Sequence, residues 1–416
     1  MTARSLGLAL ALLAGAALAA PTATDSEMSD ASAAPPSSGP ASAMAQMRAA
    51  RLAFADLAGW ADDDHAAAFA AFRESCRAIL AAAPELRPGM APSPGLVAAC
   101  RAARTVSPAD ARAFFEARFA PWRIQSADGG DAFFTGYYEP EVDAALAPVP
   151  GFPTALRARP ADLVTWPQNA PPAGAPPGLA AARRLPDGAL APMPTRAEID
   201  AGALGETSAP LAYVRDPVEA FMIQVQGSAR LRLADGRTIR AVYDGRNGHP
   251  YASIGRVLAT ERGVAPENLT LEKLKAWVRA AGQRPGEAGL ALLHRNRSFV
   301  FFRLDATASP QAGPIGAQGL RLTKLRSIAV DRTIWPYGAP VWIDANVPWE
   351  SEAPSRLARL TIAQDTGSAI VGPARADIFH GAGEAAGRIA GATRHRGAFV
   401  VLLPSGETPP GAETAR

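Results

Sequence analysis

Two aspartates near the C-terminus, Asp365 and Asp377, are the residues of this chain best suited to acid–base chemistry. They lie in the segment Leu360–Gly387, among small and apolar residues with few other charges. A carboxyl group beside apolar side chains has its charged form disfavoured, so its pKa rises and it can hold a proton near neutral pH. Such a group can act as a general acid. Alternatively, both are turn or helix-cap residues, since Asp favours both positions.

Several sequence blocks, spread over most of the chain, carry a family resemblance. In chain order they are FTGYYEPEV (Phe134–Val142), DPVEAFMIQVQGSARL (Asp216–Leu231), YDGRNGHPYASIGRVL (Tyr243–Leu258), NRSFVFFR (Asn296–Arg303) and GPIGAQGLRLTKLRSIAVD (Gly313–Asp331). Together with the segment that holds Asp365 and Asp377, they make the chain resemble the membrane-bound lytic murein transglycosylase A family, whose C-terminal domain carries three aspartates. The third is Asp331 here. The usual DTGGAI of that domain reads DTGSAI, with Ser368 at the second glycine.

The resemblance implies an enzyme that cleaves the β-1,4 bond between N-acetylmuramic acid and N-acetylglucosamine in peptidoglycan. In that reaction the muramyl 6-hydroxyl attacks C1 in place of water, which leaves a 1,6-anhydro product. One carboxylic acid can suffice, because it protonates the leaving oxygen and then, as a carboxylate, takes the proton of the 6-hydroxyl. A hydrolase would instead need a second carboxylate.

Position by position, the resemblance assigns the catalytic role to Asp377 and a supporting role to Asp365. A charged Asp365 would further raise the pKa of Asp377 by repulsion. The reverse assignment, with Asp365 as the acid, stays open because burial decides it. Asp331 is expected to be a turn residue, and Glu139 is the one other carboxylate that could serve as a catalytic partner.

Thr135, Tyr137 and Tyr138 are substrate-binding candidates in the block that begins at Phe134. The resemblance implies that they line a groove and offer hydroxyls and ring faces to sugars. From the residues alone, the two tyrosines could equally be ordinary strand residues that precede a proline.

Four more substrate-binding candidates come from the middle of the chain. Gln224 and Gln226 alternate with apolar residues, so a strand at Phe221–Gln226 would place both amides on one face, toward either sugar or solvent. Asp244 and Asn247 lie among turn dipeptides, which favours a turn, although both could face the groove.

Two further classes of protein are compatible with these residues. One is a non-catalytic peptidoglycan-binding protein, and the other is a hydrolytic glycosidase on the same barrel. Ser368 keeps the first open, because a β-carbon at a glycine position could crowd a turn that needs positive φ.

The expected partner is the glycan strand of peptidoglycan, and protein partners in cell-wall synthesis or hydrolysis complexes stay open. No cofactor is expected. Two cysteines and five histidines, none at ligand spacing, argue against a metal site. A net charge of +3 without basic clusters among aromatics argues against nucleic acid.

The N-terminus reads as a signal peptide over residues 1–19, with Arg4 before the apolar core Leu6–Leu18. That core is shorter than the roughly 20 residues that span a bilayer, so no transmembrane segment is expected. Leu13–Ala16 resembles a lipoprotein processing box with alanine in place of cysteine. The sequence therefore predicts an exported, soluble protein, and the family resemblance implies that it lies in the periplasm. Its two cysteines, Cys76 and Cys100, are expected to form a disulfide, with two buried free thiols as the alternative.

The pattern of elements predicts an α+β fold that is mainly β, and 37 glycines and 38 prolines indicate many turns. The resemblance implies a double-psi β-barrel with a second β domain inserted into it and a groove between the two. The predicted parts are a flexible leader (20–44), N-terminal helices with the first part of the barrel (45–135), the inserted domain (136–298), the second part of the barrel (299–404) and a tail (405–416).

Local patterns predict individual elements. Apolar spacing favours helices at Pro108–Phe119, Ile254–Arg262 and Leu271–Ala281. The Asp235-Gly236 pair between alternating runs predicts a hairpin. Pro148–Ala191, rich in proline and alanine, is predicted to be a surface insertion without a core of its own.

Overall fold

The computed structural model of the chain describes residues 47–166, 170–265, 269–306, 309 and 312–410. The expected signal peptide, the leader and the last six residues of the tail, 411–416, lie outside these described residues.

Strands dominate the described part of the chain. In order they are β1 (Met47–Arg51), β2 (Phe119–Ser126), β3 (Ala132–Glu139), β4 (Glu141–Asp143), β5 (Thr154–Arg157), β6 (Leu163–Thr165), β7 (Ala181–Arg184), β8 (Leu190–Pro192), β9 (Pro210–Val214), β10 (Ser228–Arg232), β11 (Thr238–Arg246), β12 (Val300–Asp305), β13 (Ser327–Val330), β14 (Pro340–Pro348), β15 (Pro354–Asp365), β16 (Arg375–Ala382) and β17 (Arg394–Pro404). The helices are α1 (His65–Leu80), α2 (Pro94–Ala102), α3 (Ala111–Arg118), α4 (Arg196–Asp200), α5 (Pro217–Gln226), α6 (Ile254–Arg262), α7 (Leu271–Ala280), α8 (Ala288–His294) and α9 (Gly383–Ala392).

Six of these strands close into a β-barrel. They pair in the order β17-β14-β15-β13-β16-β3, and β3 pairs again with β17 to complete the ring. Closure leaves these strands without free edges, and β2 and then β1 continue the sheet outward from β17. Buried aliphatic and aromatic side chains fill the interior, among them Ile328, Val341, Phe399 and Val401. The barrel that the sequence resemblance implied is confirmed.

The N-terminal helices pack on the outside of the barrel. Phe69, Phe72 and Phe115 form a buried cluster with Trp342 and Leu360 from strands β14 and β15. These helices therefore stabilise the sheet that carries the end of β15. The predicted disulfide is present and joins α1 to α2 through Cys76 and Cys100.

Most of the predicted local elements are confirmed. Helix α3 covers most of the predicted Pro108–Phe119, and α6 and α7 match their predicted ranges to within one residue. Strands β10 and β11 form the predicted hairpin around Asp235-Gly236, with Gly236 at φ 84°.

The predicted strand at Phe221–Gln226 is wrong, because these residues belong to helix α5. Asp216 caps the helix by accepting a hydrogen bond from the N–H of Glu219 at 2.9 Å, and Pro217 occupies the first turn. Gly227, at φ 83°, ends the helix. A short apolar run fits a buried helix as well as a strand, and here the capping residues decide.

The segment Pro148–Ala191, predicted to be a surface insertion without a core of its own, contains regular strands and shares an apolar cluster with residues outside it. Strands β6, β7 and β8 form a three-stranded sheet within and just beyond this segment. Leu163 and Ala181 from that sheet are buried with Ile199 and Phe301 in a small apolar cluster.

The domain limits differ from the predicted ones at two points. Strand β3 runs on to Glu139 and pairs with β16, so the first part of the barrel does not end at residue 135. Strand β12 pairs with β11 of the inserted domain, so the second part of the barrel begins near β13 and not at residue 299.

No helix within the described residues is long and apolar enough to cross a membrane.

Candidate active site

The two candidate aspartates lie in one row across the barrel wall. In that row Asp377 of β16 pairs with Thr135 of β3 on one side and with Ala329 of β13 on the other. Ala329 pairs in turn with Asp365 at the end of β15. The row therefore spans four neighbouring strands, and three of them carry the two carboxyls and the Thr135 hydroxyl.

These residues form one wall of an open cleft between the barrel and the inserted domain, called the cleft below. The barrel contributes Thr135, Gly136, Tyr137, Tyr138, Asp365, Thr366, Ser368, Ile370, Arg375, Asp377 and Phe379. The inserted domain contributes Gln224, Val225, Gln226, Tyr243, Arg246 and Tyr251.

Asp377 is held in place by its neighbours on the cleft wall. Its Oδ1 accepts a hydrogen bond from the Thr135 hydroxyl at 2.6 Å, and Thr135 Oγ1 accepts one from Arg375 Nη2 at 2.7 Å. Burial raises the pKa of Asp377 to about 6, against the opposing effects of Arg375 and the Thr135 hydrogen bond. The negative charge of Asp365 adds to the rise. Asp377 can therefore carry a proton at mildly acidic to neutral pH.

Asp365 is fixed by the main chain. Its Oδ1 accepts hydrogen bonds from the N–H groups of Ala317 and Thr366, both at 2.8 Å. Burial raises the pKa of Asp365, while these N–H groups and the Arg87 guanidinium favour its charged form. Asp365 is thus a carboxyl with one oxygen engaged by the backbone.

The two tyrosines of the TGYYEP block have different surroundings. Burial, then the charge of Asp365, raises the pKa of the Tyr137 phenol well above its usual value. The Tyr137 hydroxyl lies beside the Asp365 carboxyl, and this contact favours the charged form of Asp365. Tyr138 packs its ring against helix α9, where a β-carbon added at Gly387 would lie 2.7 Å from the ring.

Gln224 and Gln226 both reach the cleft, although from a helix. Two residues apart on α5, they do not share a face, as they would on a strand. Gln226 Oε1 accepts a hydrogen bond from the backbone N–H of Tyr138 at 3.0 Å, which ties α5 to β3. Gln224 Oε1 is buried, and no described residue donates a hydrogen bond to it.

Two predicted substrate-binding residues are not brought to the cleft. Asn247 is fully buried, and its side chain bonds the carbonyls of Pro194 and Arg297 and the N–H of Phe299. Asp244 lies on β11 outside the residues that line the cleft. The amide of Asn247 therefore has a structural role.

Glu139 is a buried ion-pair partner. It contacts Arg240 Nε at 2.6 Å and Arg230 Nε at 2.9 Å, and it does not line the cleft. Both of its oxygens are thus engaged by guanidinium groups. Glu139 is therefore not available as a catalytic partner for Asp377.

Asp331 is the expected turn residue. Its Oδ1 accepts hydrogen bonds from the N–H and hydroxyl of Thr333 at 3.0 and 2.7 Å. Its Oδ2 accepts a third bond from the N–H of Gly372 at 2.8 Å.

Ser368 does not strain its turn. Among the described residues, Ala82 and Leu325 are the only residues other than glycine with positive φ. Ser368 Oγ accepts a hydrogen bond from Arg246 Nη1 at 2.9 Å, which links the barrel to the inserted domain. The serine therefore adds a contact across the cleft.

Sequence reasoning missed the arginines of the site. Arg375 lies two residues before Asp377 on β16, so the alternation of a strand predicts that both side chains share one face. That signal was available from the sequence. Arg87 and Arg246 come to the cleft from distant segments, and no local pattern indicates their position.

In the described part of the chain, no three His, Cys, Asp or Glu side chains meet as a metal site would need.

Comparison with known proteins identifies the family of this chain. Residues 133–303 match the family model of the MltA specific insert domain, and residues 326–403 match the 3D domain. A membrane-bound lytic murein transglycosylase A of Vibrio cholerae serotype O1 is 32% identical over 293 residues, which cover 68% of this chain and 69% of the relative. The chain belongs to the membrane-bound lytic murein transglycosylase A family.

Solved structures of lytic transglycosylases from this family have the same fold as this chain. A membrane-bound lytic murein transglycosylase from Agrobacterium tumefaciens has a TM-score of 0.75 and 34% identity, covering 86% of this chain and 98% of that one. E. coli MltA with bound chitohexaose has a TM-score of 0.59 and 27% identity, covering 83% of this chain and 90% of that one. The chain is accordingly a lytic murein transglycosylase, an enzyme that acts on peptidoglycan.

Proposed function

We propose that the enzyme cleaves the β-1,4 bond between N-acetylmuramic acid and N-acetylglucosamine without water, with Asp377 as acid and then as base. The observation that carries this proposal is the Asp377 carboxyl on the cleft wall, held by Thr135, where burial raises its pKa to about 6. A group with that pKa can both donate and accept a proton near neutral pH.

The reaction needs one proton, which Asp377 lends and recovers. The protonated carboxyl donates its proton to the glycosidic oxygen while the bond from that oxygen to muramyl C1 breaks. The muramyl 6-oxygen then bonds to C1, and the Asp377 carboxylate takes the proton of that hydroxyl. The products are a 1,6-anhydro-muramyl end and a free 4-hydroxyl, no water is consumed, and Asp377 is again protonated.

Thr135 and Arg375 position the carboxyl of Asp377 and favour its charged form. The Thr135 hydroxyl keeps one carboxyl oxygen in a fixed direction, and Arg375 orients that hydroxyl. Asp365 has a supporting role in this proposal, because the two N–H bonds to its Oδ1 hold it in place and stabilise its charge. Its charge helps to keep a proton on Asp377.

The glycan strand would lie along the cleft. A relative of the same fold has been solved with bound chitohexaose, a chain of N-acetylglucosamine units. In this chain Gln224 Oε1 and the Tyr137 hydroxyl, which lies beside Asp365, are buried polar groups on the cleft. Since buried polar groups are normally satisfied, sugar hydroxyls or acetamides are suitable partners for both. Thr135, Tyr138 and Gln226 would contribute by shaping the cleft wall around the Tyr137 hydroxyl and Gln224 Oε1.

The enzyme would act in the periplasm, where peptidoglycan lies. The disulfide between Cys76 and Cys100 agrees with export to an oxidising compartment. Cell fractionation tests this location, and recovery of the protein from the cytosol with free thiols would contradict it.

The test is release of soluble fragments from purified peptidoglycan by the wild type, Asp377→Asn and Asp365→Asn. Glu384→Gln, on the exposed face of α9, is the matched control. We expect loss of an acid–base group to slow release by about 10²–10⁴-fold in Asp377→Asn, a smaller loss in Asp365→Asn and none in the control. An active Asp377→Asn beside an inactive Asp365→Asn would reverse the assignment. Binding by the wild type without release would leave a glycan-binding protein.

A further inference from the structure

Three arginines gather at the end of the cleft that holds Asp365. Arg87 and Arg246 line the cleft, and each donates to the loop that follows β15. Arg87 Nη1 bonds the carbonyl of Thr366 at 3.0 Å, and Arg246 Nη1 bonds Ser368 Oγ at 2.9 Å. Since these two acceptors are two residues apart, the guanidinium groups lie side by side.

Arg332 is the third member of this group, called the arginine cluster below. Burial lowers the pKa of Arg246 to about 10, and the charges of Arg87 and Arg332 lower it further. Arg87 likewise lowers the pKa of Arg332, after burial. The three cations are therefore close enough to repel one another.

The described carboxylates do not fully balance this positive charge, since two of them lie near its three guanidinium groups. None of them forms an ion pair within 4.0 Å of any guanidinium in the arginine cluster. The nearby acids are Asp365 and Glu85, which face Arg87 and Arg332 respectively without an ion-pair contact. Glu85 Oε2 also accepts a hydrogen bond from the N–H of Gly89 at 2.8 Å. The remaining neighbours are the phenols of Tyr243 and Tyr337.

Half-buried like charges are unfavourable, so their presence in a cleft suggests a negatively charged ligand. Arginine suits this task, because its planar fork binds a carboxylate through two parallel hydrogen bonds. The sugar backbone of peptidoglycan is neutral. Its negative groups are carboxylates, either on the lactyl ether of a muramyl residue without peptide or on the attached peptide.

We propose that Arg87 and Arg246, backed by Arg332, form a subsite that binds a carboxylate of the peptidoglycan strand. This subsite rests on the proposed function, since it assumes that the glycan occupies the cleft. It would add affinity for muramyl-containing strands over neutral glycans such as chito-oligosaccharides. Ser368 would hold Arg246 in the orientation that binding requires.

Binding of soluble glycan strands to the full chain tests the subsite, with Asp377→Asn as the background so that strands are not consumed. Three strand preparations are compared: peptide-bearing strands, amidase-treated strands that keep only lactyl carboxylates, and strands whose carboxylates are converted to methylamides. Arg246→Gln and Arg87→Gln are the test variants. Arg101→Gln, on the exposed face of α2, is the control.

We expect Arg246→Gln to raise the Kd for carboxylate-bearing strands by about 10–100-fold, the effect of losing charge-assisted hydrogen bonds. Its Kd for methylamide strands should change less than twofold, and Arg101→Gln should change neither. Loss confined to peptide-bearing strands would assign the carboxylate to the peptide. Loss that persists after amidase treatment would assign it to the lactyl group.

Equal weakening toward charged and methylamide strands, or no weakening toward charged ones, would overturn the subsite. Arg87→Gln and Arg246→Lys repeat the comparison should Arg246→Gln fail to fold, and the lysine variant should show an intermediate loss. If the wild type releases no fragments, the proposed function fails, whereas this binding comparison still decides the subsite.

Discussion

Asp365 and Asp377 lie two strands apart in the barrel, and both pair with Ala329 on the strand between them. Strands about 4.8 Å apart place their α-carbons roughly 10 Å from each other. Burial is the main cause of the raised pKa of each, and their mutual repulsion contributes least to Asp377. The barrel thus supplies two carboxyls to one cleft while letting each titrate mainly by its own surroundings.

The pH profile of the wild type should report the titration of Asp377. Because the reaction starts with a protonated Asp377, we expect kcat/KM for soluble strands to fall about tenfold per pH unit above the pKa of about 6. Rates over pH 4.5 to 8.5 check this, and an activity that keeps rising through pH 8 would contradict it.

Thr135→Val should move this profile to higher pH. The Thr135 hydroxyl donates to Asp377 and favours its charged form, so its removal raises the pKa of Asp377. Thr135→Ser keeps the donor and serves as the control, with an unshifted profile. A lower rate without any displacement of the profile would mean that Thr135 only positions the carboxyl.

Asp377→Asn should stabilise the protein at neutral pH. A carboxyl whose pKa is raised from 3.8 to about 6 on folding destabilises the native state progressively as pH rises between those values. Asparagine removes that loss, so we expect a gain of about 1–3 kcal/mol in the free energy of unfolding at pH 7.5. Below pH 3.8 both states hold the proton, and the gain should vanish. Urea unfolding at pH 7.5 and 3.5 measures this, and an equal gain at both values would refute it.

Glu139→Gln should destabilise the fold without changing the pH profile. The substitution leaves Arg230 and Arg240, two largely buried guanidinium groups, without their carboxylate. Breaking a buried ion pair by removing one partner costs about 3–5 kcal/mol. Urea unfolding measures this loss, and Glu352→Gln, an exposed pair with Arg388, is the control with little expected change. A stable Glu139→Gln with a displaced pH profile would return Glu139 to the list of catalytic partners.

Gly387→Ala should loosen α9 from the cleft wall. An added β-carbon at Gly387 would lie 2.7 Å from the Tyr138 ring, whereas one at Gly391 would lie 3.3 Å from Leu271 Cβ. Overpacking of this kind costs about 1–3 kcal/mol. Gly391→Ala, on the same helix, is the matched control, and thermal unfolding compares the two. Equal melting temperatures for Gly387→Ala and the wild type would contradict this, because the Tyr138 ring would then move aside without a cost in stability.

The sequence predicted the parts of the fold that depend on local signals. The Asp235-Gly236 hairpin and helices α6 and α7 are of this kind. Helix α5 was missed although Asp216 and Gly227 mark its ends, because the alternation of Gln224 and Gln226 with apolar residues also fits a strand.

Other features depend on contacts between distant segments. The barrel closes where Thr135 pairs with Arg394, and no local pattern predicts such a pairing. The same holds for the arginine cluster and for the hydrogen bonds between the Asn247 side chain and the backbone groups around it. Asp377 was predicted from family resemblance, whereas its raised pKa depends on the burial that the folded cleft provides.

The most direct test of a lytic mechanism is digestion of peptidoglycan in water enriched in ¹⁸O, followed by mass spectrometry of the new muramyl ends. If the 6-hydroxyl closes onto C1, those ends are 1,6-anhydro sugars that contain no ¹⁸O. Incorporation of one ¹⁸O at C1 would show that water attacks, and it would contradict the single-carboxylate mechanism on Asp377.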